Sequence, residues 1–127
     1  MTPDQIAAFI LSLGNISRLD QEGTSFFFVG DDQRLPLATI LTTSAHDSYS
    51  NLDREGVFRL NISLTKDDFR SLGFQEEPRD FTALDTIMPH PEYGMMHYIC
   101  ILNPSAESFA RLQPMLVASY QKKLAKQ

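Results

Sequence analysis

The stretch Val57–Leu64, VFRLNISL, decides the fold. Its apolar and polar side chains alternate, which is the period of two that predicts a β-strand with one face in a hydrophobic core. Arg59 and Asn61 then share the opposite face, where polar side chains must meet solvent or another polar element. The side chains predicted to enter the core are Phe58, Leu60, Ile62 and Leu64.

Three more strands are predicted around this one. Thr24–Val29 (TSFFFV) and Leu37–Thr42 (LATILT) are rich in β-forming residues, and the turn-forming residues 30–33 between them indicate an antiparallel hairpin. Met95–Leu102 is predicted as the last strand. The segment His46–Glu55 is polar and rich in Ser, Asp and Asn, which favours an ordinary surface loop over a ligand site.

Helices are predicted at both ends of the chain. Thr2 as N-cap, with Pro3 and Gln5 behind it, starts a helix that ends near Gly14. Ser105 is predicted to cap a C-terminal helix, in which Pro114 should cause a kink or a restart. A short helix is predicted after Thr65. The pattern predicts a two-layer α+β fold: an antiparallel sheet with the N- and C-terminal helices packed on one face.

Composition favours a single ordinary globular domain over residues 1–127. The chain has 43% hydrophobic and 21% charged residues, a net charge of −5 and one cysteine. The negative charge disfavours nucleic acid as a partner, and the lone Cys100 excludes an intrachain disulfide. The N-terminus lacks the cationic flank of a signal peptide, and no apolar run is long enough to span a bilayer. We therefore expect a cytoplasmic protein without a membrane partner.

Three segments, FRLNISLTKDDF (58–69), DFTALDTIMPHPEYG (80–94) and ICILNPS (99–105), resemble a bacterial family known as a domain of unknown function. The order of elements is similar to the MmcQ/YjbR-like group. This resemblance covers nearly the whole chain and implies a compact α+β domain with an antiparallel sheet. The wider superfamily includes suggested DNA binders and frataxin-like iron binders, but no catalytic motif is transferred by the resemblance.

The polar, proline-rich loop Asp80–His97 is the predicted location of any site. It would act together with Arg59 or Asn61, and Arg59 could pair with Asp80, Asp85 or Glu92. A structural ion pair that holds the loop down is favoured over ligand capture, which is the alternative. The candidate ligand-binding residues are Arg59, Asn61, Asp85, His90, Glu92, Tyr93 and His97.

The chemistry of this loop matches no complete motif. Acid–base catalysis by His90 or His97, with Asp80 or Asp85 as the orienting group, is chemically reasonable but not required by the spacing. No metal ligand set, cofactor or catalytic residue is predicted, and a mid-strand Cys100 is expected to be inert. We therefore expect a non-enzymatic module that binds a small molecule or a protein; the alternatives are a small-molecule enzyme and, third, a nucleic-acid binder.

Overall fold

The computed structural model describes all residues from Met1 to Gln127. A 3₁₀-helix at Gly94–Met96 supplements three α-helices and six strands. The α-helices are α1 (Pro3–Ser12), α2 (Lys66–Ser71) and α3 (Ala106–Ala125). The strands are β1 (Ile16–Gln21), β2 (Thr24–Val29), β3 (Ala38–Leu41), β4 (Arg59–Ser63), β5 (Met88–Pro89) and β6 (Tyr98–Leu102).

The strands form one open antiparallel sheet in the order β1-β2-β3-β4-β6-β5. The predicted hairpin of β2 and β3 is confirmed, with Thr24 opposite Leu41. β1 was not predicted from the sequence. It pairs along its whole length with β2, and four of its six residues are exposed because it lies at the edge of the sheet.

The predicted α+β architecture is confirmed, because both terminal helices contribute to one hydrophobic core against the sheet. Phe9 of α1 meets Phe109 of α3 edge to face, with ring centroids 5.5 Å apart. The Tyr120 hydroxyl of α3 donates to the carbonyl oxygens of Leu13 and Gly14, at the end of α1. The apolar alternation of the central strand points into this core, since Leu60 and Ile62 are fully buried.

The predicted start of the last strand was wrong. The last strand begins at Tyr98 rather than Met95, because Met96 belongs to a 3₁₀-helix and His97 ends it in a left-handed conformation with φ of 68°. Of the kink or restart predicted at Pro114, the restart is absent, and α3 continues beyond this residue as expected. Its buried side chains lie on both sides of the proline, so packing holds the two halves as one helix. No helix combines the length and apolar character required to cross a membrane.

The sheet face turned away from α1 and α3, which we call the open face, positions the polar side chains. Thr39 on β3 and Cys100 on β6 flank Asn61 of β4, and Leu41 and Leu102 flank Arg59. The loop between β3 and β4 and the segment that carries β5 both reach this face. All five β4 residues are buried even though two of them are strongly polar.

Gly23 lies in the two-residue turn that joins β1 and β2, and substituting it tests the packing of that turn. Its φ is +76°, and a Cβ atom there would lie 2.6 Å from Thr43 Cγ2. The Thr43 hydroxyl donates to the Glu22 carbonyl and accepts from the Ala45 amide, so it resists displacement. We expect Gly23→Ala to lower the free energy of unfolding, as measured by denaturant titration, by about 1 kcal/mol more than its control.

The control is Gly56→Ala, because Gly56 has a similar φ of +74° but a Cβ added there would have no atom within 4 Å. It reports the cost of the left-handed backbone alone, about 1–2 kcal/mol. Equal losses in both variants would show that Thr43 yields freely and would contradict the expected contact.

Candidate functional site

A cavity of about 410 Å³ lies on the open face of the sheet, and we call it the open-face cavity. Strands β2, β3 and β4 form its floor, and the β3–β4 loop and the segment 90–98 contribute its rim. Its polar lining includes Thr24, Arg34, Thr39, His46, Asp47, Arg59, Asn61, His90 and Glu92. A cavity of this size, with polar groups among apolar walls, is typical of small-molecule sites.

The guanidinium of Arg59 is the largest polar group in the floor and is 1% exposed. Its Nη1 and Nη2 donate to Asp47 Oδ1 and Oδ2 at 2.9 and 2.5 Å, which is a bidentate ion pair. Nη1 also donates to Ser50 Oγ at 3.1 Å. Burial by itself would raise the pKa of Asp47, but the hydrogen bonds and charge of Arg59 outweigh it and hold that pKa below its usual value.

The hydrogen-bonded chain continues across the sheet. Arg59 Nε donates to Asn61 Oδ1 at 3.1 Å, and Asn61 Nδ2 donates to Thr39 Oγ1 at 2.8 Å. Four side chains from the loop and two strands are therefore tied together. Of the five guanidinium N–H groups, four have protein acceptors, and one on Nη2 remains free.

Thr24, also in the floor, differs from these residues because its hydroxyl is not part of the hydrogen-bonded chain. It is 2% exposed, and its Oγ1 is a buried side-chain atom that has no hydrogen-bond partner. A buried hydroxyl in that state costs free energy. Thr24 is also one of the residues that line the open-face cavity.

His90 forms the opposite wall and is 6% exposed. Its Nδ1 accepts hydrogen bonds from the backbone N–H groups of Glu92 and Tyr93, both at 3.0 Å. This geometry places the proton of the neutral ring on Nε2. Burial, and secondarily the positive charge of Arg59, lowers the pKa of His90 to about 4, against a smaller opposing effect of Asp47. The ring is therefore a neutral donor at physiological pH.

Aromatic and apolar side chains complete the cavity. The Tyr93 ring lies against His90 with centroids 4.9 Å apart and contacts Tyr98 edge to face at 6.1 Å. Phe26 stands on the floor from β2, and Leu35 and Met96 line the far side. Tyr93 is half exposed, so part of the aromatic wall is accessible from solvent.

The chain is similar to one known protein family over its full length. Residues 1–127 match the family described as "Family of unknown function (DUF6194)". The chain belongs to DUF6194. No curated protein and no solved structure matches it. The resemblance to the MmcQ/YjbR-like group therefore stays a prediction.

In this DUF6194 chain, five of the seven residues named from the sequence lie around one cavity, and two lie elsewhere. Asp85 accepts a hydrogen bond from the Ser105 backbone N–H at 2.9 Å, which lowers the pKa of Asp85 and anchors the start of α3. His97 packs against the Phe69 ring at 5.4 Å and lines a different cavity. The residues brought together are Arg59, Asn61, His90, Glu92 and Tyr93.

The predicted partner of Arg59 was wrong. The ion pair is with Asp47 of the β3–β4 loop, and not with Asp80, Asp85 or Glu92. His46–Glu55 is a loop with mostly exposed residues, as expected, but its His46 and Asp47 line the cavity and Asp47 holds Arg59. Arg59 indicated that some acid must be near, but no local signal distinguishes Asp47 from the other acids of the chain.

The single cysteine of the DUF6194 chain lies in the sheet. Cys100 is fully buried on β6, and burial raises the pKa of its thiol to about 12. Such a thiol has little nucleophilic thiolate. No group of three or more His, Cys, Asp or Glu side chains is arranged to hold a metal ion.

Proposed function

We propose that this protein is a non-enzymatic binding module that takes a small organic molecule into the open-face cavity. The observation that carries the proposal is the unpartnered hydroxyl of Thr24, which is buried in the lining of a 410 Å³ cavity. Buried polar groups are normally hydrogen-bonded. A ligand acceptor or donor would satisfy this hydroxyl.

The donors around the cavity suggest the chemistry of the ligand. His90 offers Nε2–H, Arg59 keeps one free Nη2–H, and Thr24 offers its hydroxyl. All three suit acceptor oxygens or nitrogens of a ligand, such as carbonyl or carboxylate groups. Phe26 and Tyr93 provide flat apolar surface for the rest of the molecule.

Binding is better supported than catalysis by the state of the acid–base groups. A general base works best with a pKa near the working pH, whereas the pKa of His90 is about 4. Both carboxylate oxygens of Asp47 accept hydrogen bonds from the terminal nitrogens of Arg59, so this carboxylate is already paired. We also propose a cytoplasmic location, from the single buried cysteine, and a fold-level relation to the MmcQ/YjbR-like group, from the order of elements.

The direct experiment is a thermal-shift screen of a metabolite library on the wild-type protein, followed by the Thr24→Val and His90→Phe variants. A ligand of the open-face cavity stabilises the folded wild type, and both variants should reduce that shift. Hits that stabilise wild type and both variants equally would place binding elsewhere. A protein that gains stability from no compound would leave the unpartnered hydroxyl as an intrinsic cost and would remove the proposal.

Thr24→Val also tests the site in the absence of ligand. Valine has the shape of threonine without the unpartnered hydroxyl, so we expect the free energy of unfolding to rise by about 1 kcal/mol. The matched control is Thr39→Val, which removes an engaged acceptor and leaves Asn61 Nδ2 unpaired. That variant should lose about 1–3 kcal/mol. Changes of the same sign in both variants, measured by urea denaturation, would contradict the assignment.

A further inference from the structure

All four lysines of the chain line a single second cavity of about 320 Å³, which we call the lysine cavity. The protein as a whole carries a net charge of −5. Its only ammonium side chains are thus collected at one place on an otherwise acidic molecule. They are Lys66, Lys122, Lys123 and Lys126.

The sequence produces this convergence through two helices. Ser119, Lys122, Lys123 and Lys126 follow the spacing i, i+3, i+4, i+7, which places them on one face of α3. Lys66 is the first residue of α2. Lysines in the last turns of α3 favour its dipole, but a cation at the start of α2 opposes the dipole there. Helix stability therefore does not account for Lys66.

None of the four lysines forms a salt bridge within the chain. The four ion pairs of the structure all involve arginine. Asp32 is the acidic side chain whose charge raises the pKa of Lys123, and its own salt bridge is with Arg34 at 3.6 Å. Lys123 is half-buried, and this burial, reinforced by the charge of Lys126, lowers its pKa, whereas Lys66, Lys122 and Lys126 are exposed.

The remaining lining is suited to an oxyanion with an organic part. Ser63 and Ser119 are buried at the cavity and supply hydroxyl groups, and Thr65 is beside them. Leu35, Met96 and Tyr98 form an apolar wall that the lysine cavity shares with the open-face cavity. An apolar or aromatic portion of a ligand can lie against that wall while its anionic group meets the lysines.

We propose that the lysine cavity is a binding site for the phosphate group of a small phosphorylated organic molecule. Lysine binds phosphate as a point charge. Several lysines around one cavity suit a ligand group with two negative charges better than a carboxylate group, which has only one. The site does not depend on occupancy of the open-face cavity, because its charged groups are separate from the Arg59 network.

The lysines themselves supply the reporter for the test. Reductive methylation with ¹³C-formaldehyde keeps their charge and labels only the four lysines and the N-terminal amine. Inorganic pyrophosphate, titrated at about 0.15 M ionic strength, should shift the lysine signals saturably and leave the N-terminal signal in place. Uniform drift of all signals, including the N-terminal one, would show unspecific ion association and overturn the proposal.

Single-charge variants then locate the site. Lys123→Gln and Lys126→Gln should each weaken pyrophosphate binding about tenfold, measured by calorimetry. The matched control is Arg111→Gln, which removes an exposed cation from the same helix outside both cavities and should change affinity by less than about twofold. Equal losses in all three variants would overturn the proposal.

Nucleic acid is the alternative source of phosphate groups and is tested in a separate experiment. A single-stranded and a duplex oligonucleotide are offered to the wild type at the same ionic strength. The proposal expects no retardation of either in a gel, because the acidic remainder of the molecule repels a long polyanion. Retardation that the Lys123→Gln variant abolishes would assign these lysines to nucleic acid and would replace the small-molecule proposal.

Discussion

Replacing Asp47 with alanine is expected to lower the free energy of unfolding by about 3–5 kcal/mol. The reason is the position of Arg59, which is 1% exposed and would keep its charge in the sheet without a carboxylate partner. Ser50 and Asn61 would still accept hydrogen bonds, but neither carries a compensating charge. Urea denaturation of the variant at neutral pH measures the loss directly.

Asp53→Ala is the matched control, because Asp53 belongs to the same loop and is exposed. Its loss should stay within about 0.5 kcal/mol. The double variant Asp47→Ala with Arg59→Met should be more stable than Asp47→Ala alone, because the unpaired buried charge is then absent. An Asp47→Ala variant as stable as the Asp53→Ala control would show that Arg59 reaches water and needs no counter-ion.

The sheet and helices were largely predictable because their information is local. The alternation of Val57–Leu64 identifies a strand with one buried face, and burial of Leu60 and Ile62 agrees with it. Thr2 and Ser105 act as N-caps, and the side-chain oxygen of each accepts a hydrogen bond from the backbone N–H three residues later. In each case the neighbours along the chain decide the geometry, so the sequence alone is sufficient.

β1 was missed because its stability comes from its partner. Ile16–Gln21 has no alternating apolar face, and as an edge strand it needs none. Its position depends on a ladder that pairs Ile16 with Val29 and Gln21 with Thr24. The sequence signal that could have indicated β1 is the glycine at position 23, which suits a two-residue hairpin turn. In the structure, Glu22 and Gly23 form that turn and both have positive φ.

The candidate site was predictable in part for a similar reason. Strand alternation correctly placed Arg59 and Asn61 on one face, and this implied polar partners. The choice of Asp47 among the acids depends on how a long loop crosses the open face, which no local pattern specifies. Likewise, the lysines of α3 share a helical face in the sequence, but only the tertiary fold brings Lys66 beside them.

The stability of the protein is expected to rise with pH between about pH 4 and 6.5, because of His90. The pKa of His90 is about 4 in the folded protein and near 6.5 in an unfolded chain. In this window the unfolded state binds a proton that the folded state does not, so acidification favours unfolding. One proton gives a slope of up to about 1.4 kcal/mol per pH unit.

The contacts of His90 explain why its imidazole stays unprotonated in the folded state. A proton on Nδ1 would face the backbone N–H groups of Glu92 and Tyr93, so both hydrogen bonds would become repulsive. Burial and the nearby Arg59 charge act in the same direction. The pKa of Asp47 is held below its usual value, so the contribution of that carboxylate is lost only at more acidic pH.

His90→Asn separates this effect from other titrations. The asparagine Oδ1 can accept from the same backbone N–H groups but does not titrate, so the slope between about pH 4 and 6.5 should largely disappear. His46→Asn is the control, because His46 lines the same cavity but is exposed, and it should retain the slope. If urea denaturation across this range gave the same slope for wild type and His90→Asn, the buried neutral imidazole would not be its source. A neutral His90 is also what the proposed ligand site requires, since a charged ring would break the turn that positions Tyr93 at the cavity wall.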